Sequence, residues 1–135
     1  MVVRRADGVY VYQLAVTVDD AEAGVNEVVR GMDLLSSAPR QMYLQELFGQ
    51  PHPQYAHVPM LLAQDGRRLS KRDQDLDLGE IQKHMTAEKV LGLLAYAAGL
   101  IDQKTCISST ELTKEFSWDR LNKEDITINP QDFCG

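Results

Sequence analysis

Three short β-prone runs, separated by one helical stretch and followed by a mainly helical remainder, limit the fold more than any other feature of the sequence. The first run, Val9 to Val18, is dense in β-branched and aromatic residues. Its apolar residues fall on both parities, which predicts a strand covered on both faces, as in a parallel sheet. Asp19 and Asp20 end it. A second strand is expected from Val25 to Arg30, closed by Gly31. A helix follows: Ser36 or Ser37 can cap it, and Pro39 suits its first turn because the missing N–H leaves no bond unmade. Met42, Leu44, Leu47 and Phe48 supply its apolar side, and Gly49 is a natural stop. After a loop over Gly49 to Pro53, Tyr55 to Leu62 reads as the third strand, with Pro59 limiting its pairing. The order is α/β in character. Three short strands, however, do not make a well-covered parallel sheet, so part of the sheet is expected to be missing.

Beyond Leu62, Asp65-Gly66 signals a turn and Arg67 to Asp77 an exposed loop. Thr86 can cap a helix over Ala87 to Ala98 that Gly99 stops. Ser108 and Glu111 have capping-box spacing, with Leu112, Phe116 and Trp118 as packing residues after them. Asp125 to Gly135 has no clear pattern. The chain has 135 residues and is 44% hydrophobic, enough for a modest core and outside the range of disordered compositions. No apolar run approaches the roughly 18 residues of a membrane span, and Met1 to Gly8 is too short an apolar stretch for a signal peptide, so a cytoplasmic protein without membrane contact is expected. Net charge is −6; up to residue 75 there are 8 basic and 10 acidic residues, and after it 6 and 10. A protein that held nucleic acid by bulk charge would carry the opposite balance, so any such contact needs a local basic patch or another part of the protein. Cys106 and Cys134 stand apart and read as ordinary thiols. His52, His57 and His84 form no ligand pattern, so no metal site and no protein-bound zinc are expected.

The chemistry-bearing feature is Asp65-Gly66-Arg67-Arg68-Leu69-Ser70-Lys71-Arg72. Arg67, Arg68, Lys71 and Arg72 fall within six positions, with a hydroxyl at Ser70. Such a loop can grip a polyphosphate, lysine as a mobile point charge and arginine as a fork of donors. It can equally be a solvated surface turn, and it lacks the glycine-rich phosphate-loop pattern.

Arg68-Leu69-Ser70-Lys71-Arg72 resembles the Lys-Met-Ser-Lys-Ser signature of class I aminoacyl-tRNA synthetases, in the form Lys-Leu-Ser-Lys-Arg common among glutamyl enzymes. The resemblance extends through Tyr12 to Asp20, Gly24, Val28 to Gln41, Leu47-Phe48-Gly49 and Pro53 to Leu62. It is continuous from about Asp7 to Asp73 and weaker through Ala98. It implies the second half of a Rossmann-type class I synthetase catalytic domain over residues 1–77, followed by a helical, stem-contact-like segment over 78–135. It also implies that glutamate is activated with ATP and Mg²⁺ to glutamyl-adenylate and pyrophosphate, then passed to tRNA(Glu) or tRNA(Asp).

By the same resemblance, Lys71 holds the ATP phosphates and Arg68 replaces the first signature lysine. Ser70 and Arg72 support the loop, Met60 and Leu61 match the backbone segment that meets adenine, and Leu69 and Arg72 join Lys71 in binding ATP. Tyr12 and Arg30 match the pair that recognises the substrate glutamate. Taken alone, Arg30 could instead form a structural ion pair with Asp33 or Asp20, Tyr12 could be core, and Pro59 to Leu62 could be simple packing. The family's other ATP motif, of His-Ile-Gly-His type, has no counterpart here, so the isolated chain is expected to be inactive and to need an N-terminal catalytic half. Exposed apolar faces, and with them dimerisation or aggregation, follow from that expectation. Arg30-Gly31-Met32-Asp33-Leu34-Leu35, and an end about 60 residues after the signature, resemble the short glutamyl-queuosine tRNA(Asp) synthetases. The Leu69-Ser70-Lys71-Arg72 ending is more typical of ordinary glutamyl-tRNA synthetases. A non-catalytic glutamate- or tRNA-binding module, or an inactive fragment, is the competing expectation.

Overall fold

A computed structural model of the chain describes residues 2–69 and 77–133. The chain packs as two compact units, one ending at Val58 and the other beginning at Pro59. The packing boundary thus precedes residue 77, where the family resemblance places its division, and residues 59–69 belong to the second unit.

In the first unit, a short antiparallel bridge joins Arg4 to Tyr10 around the turn at Gly8. Helix α1 then spans Tyr12–Glu22, so the strand expected from Val9 to Val18 is not formed. Gln13, Leu14, Thr17, Val18 and Ala21 lie on its shielded side, a spacing of three and four rather than two. β-Branched residues cost a helix only a few tenths of a kcal/mol each, which packing readily outweighs. Thr17, the most deeply buried of them, donates its hydroxyl to the Gln13 carbonyl at 2.7 Å and so brings no unmet polar group inside. Gly24 stops the helix in the left-handed region (φ +69°), with the Val25 N–H reaching back to the Asp20 carbonyl at 2.9 Å.

Strand β1 (Glu27–Gly31) pairs in parallel with β2 (Gln54–Val58), Arg30 opposite His57. The crossover is a 3-10 turn, Met32–Ser37, leading into α2, Ala38–Leu47, with Pro39 in its first turn as expected. The buried stripe of α2 is Ala38, Gln41, Leu44 and Gln45. The expected apolar side was partly wrong: Leu47 and Phe48 are 62% and 50% exposed. Two glutamines share the inner face: Gln41 is bonded at both amide ends, whereas Gln45 donates to the Tyr55 hydroxyl at 3.4 Å and leaves its buried Oε1 without a partner among the described residues.

In the second unit, β3 is only Leu61–Leu62, so the strand expected from Tyr55 to Leu62 is broken at Pro59-Met60. β3 pairs in parallel with β4, Ile126–Thr127, from the segment whose sequence had no pattern. Two residues give no period to read. Among the described residues the strands therefore form two two-stranded parallel ladders. Helices α3 (Leu78–Ile81), α4 (Ala87–Ala97) and α5 (Ser109–Glu115) follow. Thr86 caps α4 through the Lys89 N–H. Gly99 (φ +78°) ends it, and Asn122 closes the exit by donating its side-chain N–H to the Ala97 carbonyl and its backbone N–H to that of Ala98. Ile81, Met85, Ile128 and Phe133 form the core, with Leu61, Leu69, Val90, Leu94 and Ile126 packed on it. Phe116 and Trp118, expected to pack, are 41% and 45% exposed and meet edge to face. No helix of the described residues is long and apolar enough to cross a membrane.

Two tests follow from these contacts. A Cβ on Gly92 would stand 1.7 Å from the Thr105 carbonyl oxygen, so Gly92→Ala must push α4 and the 105 segment apart. The expected loss is about 1–3 kcal/mol, as for other overpacked interiors, read as a lowered midpoint in chemical denaturation. Ser108 and Glu111 form the full capping box. The side-chain and then the backbone bond from Ser108 hold the Glu111 carboxyl below its ordinary 4.5. A depressed carboxyl stabilises the fold above its unfolded value and loses that contribution as pH falls through the folded one. The α5 amides should therefore gain hydrogen-exchange protection from the cap near neutrality and lose it below about pH 4.5, and Glu111→Gln should remove that dependence.

Candidate functional site

A directional chain of side-chain hydrogen bonds in the first unit ends on Arg30. Gln13 on α1 donates through Nε2 to Ser37 Oγ at 2.9 Å, which leaves its Oε1 to accept from Gln41 Nε2 at 2.8 Å. Gln41 must then turn its own Oε1 to Arg30, which donates through Nη1 at 2.7 Å. Flipping either amide would set donor against donor, so each glutamine fixes the next. Arg30 also donates Nη2 to the Leu34 carbonyl at 3.2 Å and Nε to His57 Nε2 at 3.2 Å. For Nε2 to accept, the proton of the neutral His57 ring sits on Nδ1.

The face of the Arg30 guanidinium lies over the Tyr55 ring, 4.9 Å from its centroid, and His57 stacks on Tyr55 at 6.4 Å. β1 and β2 put Arg30 and His57 opposite each other; α2 brings Gln41 over them. Every named acceptor is uncharged, and among the described residues no carboxylate forms an ion pair with Arg30. The structural ion pair to Asp33 or Asp20 is thus not what holds it. A guanidinium carries five N–H donors; three are used, leaving one on each Nη. Such an arrangement can take a carboxylate.

Tyr12, the other residue expected to meet glutamate, begins α1 beside Gln13 and is 56% exposed, which excludes a core role. Among the described residues no hydrogen bond joins Tyr12 to Arg30; the Gln13–Gln41 and Gln41–Arg30 bonds together link their elements, α1 and β1. Sequence reasoning assigned no role to Gln13, Ser37, Gln41, Tyr55 or His57. The available signal was the helical spacing of Gln41 and Gln45 beside Ala38 and Leu44, which puts polar groups on an inward face.

The expected nucleotide-side residues belong to the second unit. Met60 donates its backbone N–H to Asp125 Oδ1 at 2.8 Å and accepts from the Ile126 N–H at 2.8 Å, so β4 already occupies its backbone. After the Gly66 turn the chain folds back, Leu62 bridging Arg68 and the Leu69 N–H reaching the Leu61 carbonyl at 3.4 Å. This places the start of the signature alongside Leu61. Leu69 packs on the core rather than pointing outward, and Arg68 is engaged. Ser70, Lys71 and Arg72 lie outside the described residues. Arg67 pairs with Asp65 at 3.0 Å. Cys106 is a free, exposed thiol. Among the described residues no three His, Cys, Asp or Glu side chains are grouped to hold a metal.

Residues 1–133 match the family of tRNA synthetases class I (E and Q), catalytic domain. The chain is 60% identical over 129 residues to a glutamyl-Q tRNA(Asp) synthetase of Ectopseudomonas mendocina, covering 94% of this chain and 42% of that protein. It is 48% identical over 128 residues to one of Symbiobacterium thermophilum, covering 94% and 40%. The chain thus spans about two fifths of the length of these curated relatives. Its fold matches the crystal structure of a glutamate-tRNA synthetase from Elizabethkingia anophelis, with a TM-score of 0.77 at 24% identity, over 98% of this chain and 31% of that one. With a family match over nearly its whole length, and a fold shared with solved glutamate-tRNA synthetases, the chain belongs to the class I tRNA synthetases (E and Q), within their catalytic domain.

Proposed function

We propose that this chain forms part of a glutamate-activating site that makes glutamyl-adenylate from glutamate and Mg²⁺-ATP and passes the glutamyl group to a tRNA. The observation that carries this reading is the Arg30 guanidinium, tethered only by neutral acceptors and keeping an N–H on each Nη. An acidic side chain is the ligand that such a group favours, since a carboxylate accepts both donors and neutralises the charge. Tyr12, exposed at the first turn of α1, is the second donor in this reading.

In this reading residues 1–77 are the later half of a Rossmann-type catalytic domain and residues 78–135 a helical segment turned to the tRNA stem. Lys71, with Arg68, Ser70 and Arg72, steadies the phosphates while negative charge moves onto the departing pyrophosphate. Met60 and Leu61 border the adenine and Leu69 belongs to the same ATP-binding segment, joined to Leu61 by its backbone N–H. The protein works in the cytoplasm, where its substrates are.

The relatives named glutamyl-Q tRNA(Asp) synthetases support the short type and tRNA(Asp) as acceptor. The Elizabethkingia meningosepticum glutamate tRNA ligase, solved in complex with its amino acid, shares the fold at a TM-score of 0.76 but only 24% identity.

ATP–pyrophosphate exchange tests the proposal, with the chain alone and with the remainder of a relative's catalytic domain supplied separately. Glutamate-dependent exchange is expected in the mixture and should vanish with Lys71→Ala or Arg30→Ala. A folded sample that gives no exchange in either case would contradict the proposal. In the active mixture, glutamylation of tRNA(Asp) but not tRNA(Glu) is expected.

A further inference from the structure

We infer that Gln41 and His57 are positioning residues that give the site its preference for an acid over the corresponding amide, by holding Arg30 without neutralising it. The inference rests on the proposed glutamate site. It goes beyond that site in assigning specificity to two side chains that do not themselves meet the ligand.

Had Gln41 been a glutamate, its carboxylate would sit where Gln41 Oε1 now accepts from Nη1 at 2.7 Å. The guanidinium would then be paired before any ligand arrived, and a glutamine side chain, which binds through a neutral oxygen, would suffer little by comparison. With an amide there, Arg30 is fixed but its charge is still available. His57 acts on the other end of the same group. By accepting from Nε at 3.2 Å it uses the one N–H that would otherwise let the ligand bind side-on, so the ligand is left with the Nη donors. Tyr55 holds the plane from one face. Gln41 is itself only 2% exposed and cannot turn, since its N–H group is held by Gln13, whose own is held by Ser37. Two residues on two elements, α2 and β2, therefore fix the rotamer of the recognition group while leaving its charge unpaired.

The test uses the chain combined with the rest of a relative's catalytic domain, with glutamate-dependent ATP–pyrophosphate exchange as readout. In the unsubstituted mixture glutamate supports exchange and Arg30→Ala abolishes it; failure at this step overturns the glutamate site, and the inference with it. Given that step, Gln41→Glu should raise the KM for glutamate about tenfold, equivalent to about 1.4 kcal/mol. The KM for ATP should stay within about twofold and the ratio of glutamine to glutamate use should rise. His57→Phe keeps the ring stacked on Tyr55 but removes the acceptor and should also raise the glutamate KM, whereas His57→Gln, which can accept again, should restore it. A merely structural role would move the KM values of glutamate and ATP together, follow the loss of thermal stability, and show no rescue by His57→Gln. That pattern, or an unchanged glutamate KM in Gln41→Glu, overturns the inference while leaving the glutamate site standing. If Gln41→Glu does not fold, the His57 pair decides the matter.

Discussion

A half-buried guanidinium needs acceptors, and the way Arg30 finds them organises the first unit. Its partners come from the turn after β1, from α2 and from β2. Each arrives on a neutral atom. A buried carboxylate would have been a stronger partner, but it would have spent the charge inside the protein. The result is a group held in place by three hydrogen bonds and a ring face that still carries a full positive charge toward whatever approaches. The glutamine relay behind it extends the same logic to α1. Since an amide has a donor end and an acceptor end, orienting Gln13 orients Gln41 and hence Arg30. The family membership and this geometry both support the acid-binding role proposed for Arg30.

Much of the architecture was legible in the sequence because it rests on local signals. Pro39 at the start of α2, Gly49 and Gly99 as helix stops, the Thr86 cap and the capping box of Ser108 and Glu111 all appear where their short-range chemistry requires. The error at α1 has a definite cause. Val9 to Val18 contains the residues of a strand but not its period; apolar residues on both parities fit a helix with one shielded side as well as a strand covered on both. The tie was decided by packing on α2, which lies far along the chain, and by the Thr17 hydroxyl, which a helix satisfies internally. Gly24, with Ala21 and Ala23 before it, was the overlooked sign of a helix end.

The candidate site was legible in part. Arg30 and Tyr12 could be named from family resemblance; the structure adds that Arg30 is held by uncharged acceptors and that Tyr12 is exposed. What surrounds Arg30 could not be read, because Gln13, Ser37, Gln41 and His57 lie up to 28 positions apart in hydrogen-bonded pairs, and polar residues give no periodic signal of their own. The short β3 and β4 escaped for a related reason: two residues each, joined across more than sixty positions, are held by Met60, Leu62, Asp125 and Ile128 rather than by any local preference.

The central claim, that Arg30 is fixed in advance and keeps its charge for an acid, is tested most directly on the guanidinium itself. The measurement is the ¹⁵N side-chain spectrum of Arg30, assigned through Arg30→Lys, in the chain combined with the rest of the catalytic domain and titrated with glutamate or with glutamine. The expected Arg30 Nε–H is visible and slow to exchange before any ligand is added, and the Nη resonances should shift with glutamate but not with an equal concentration of glutamine. An Nε–H exchanging like that of a free surface arginine, or equal shifts with the two ligands, would contradict the claim.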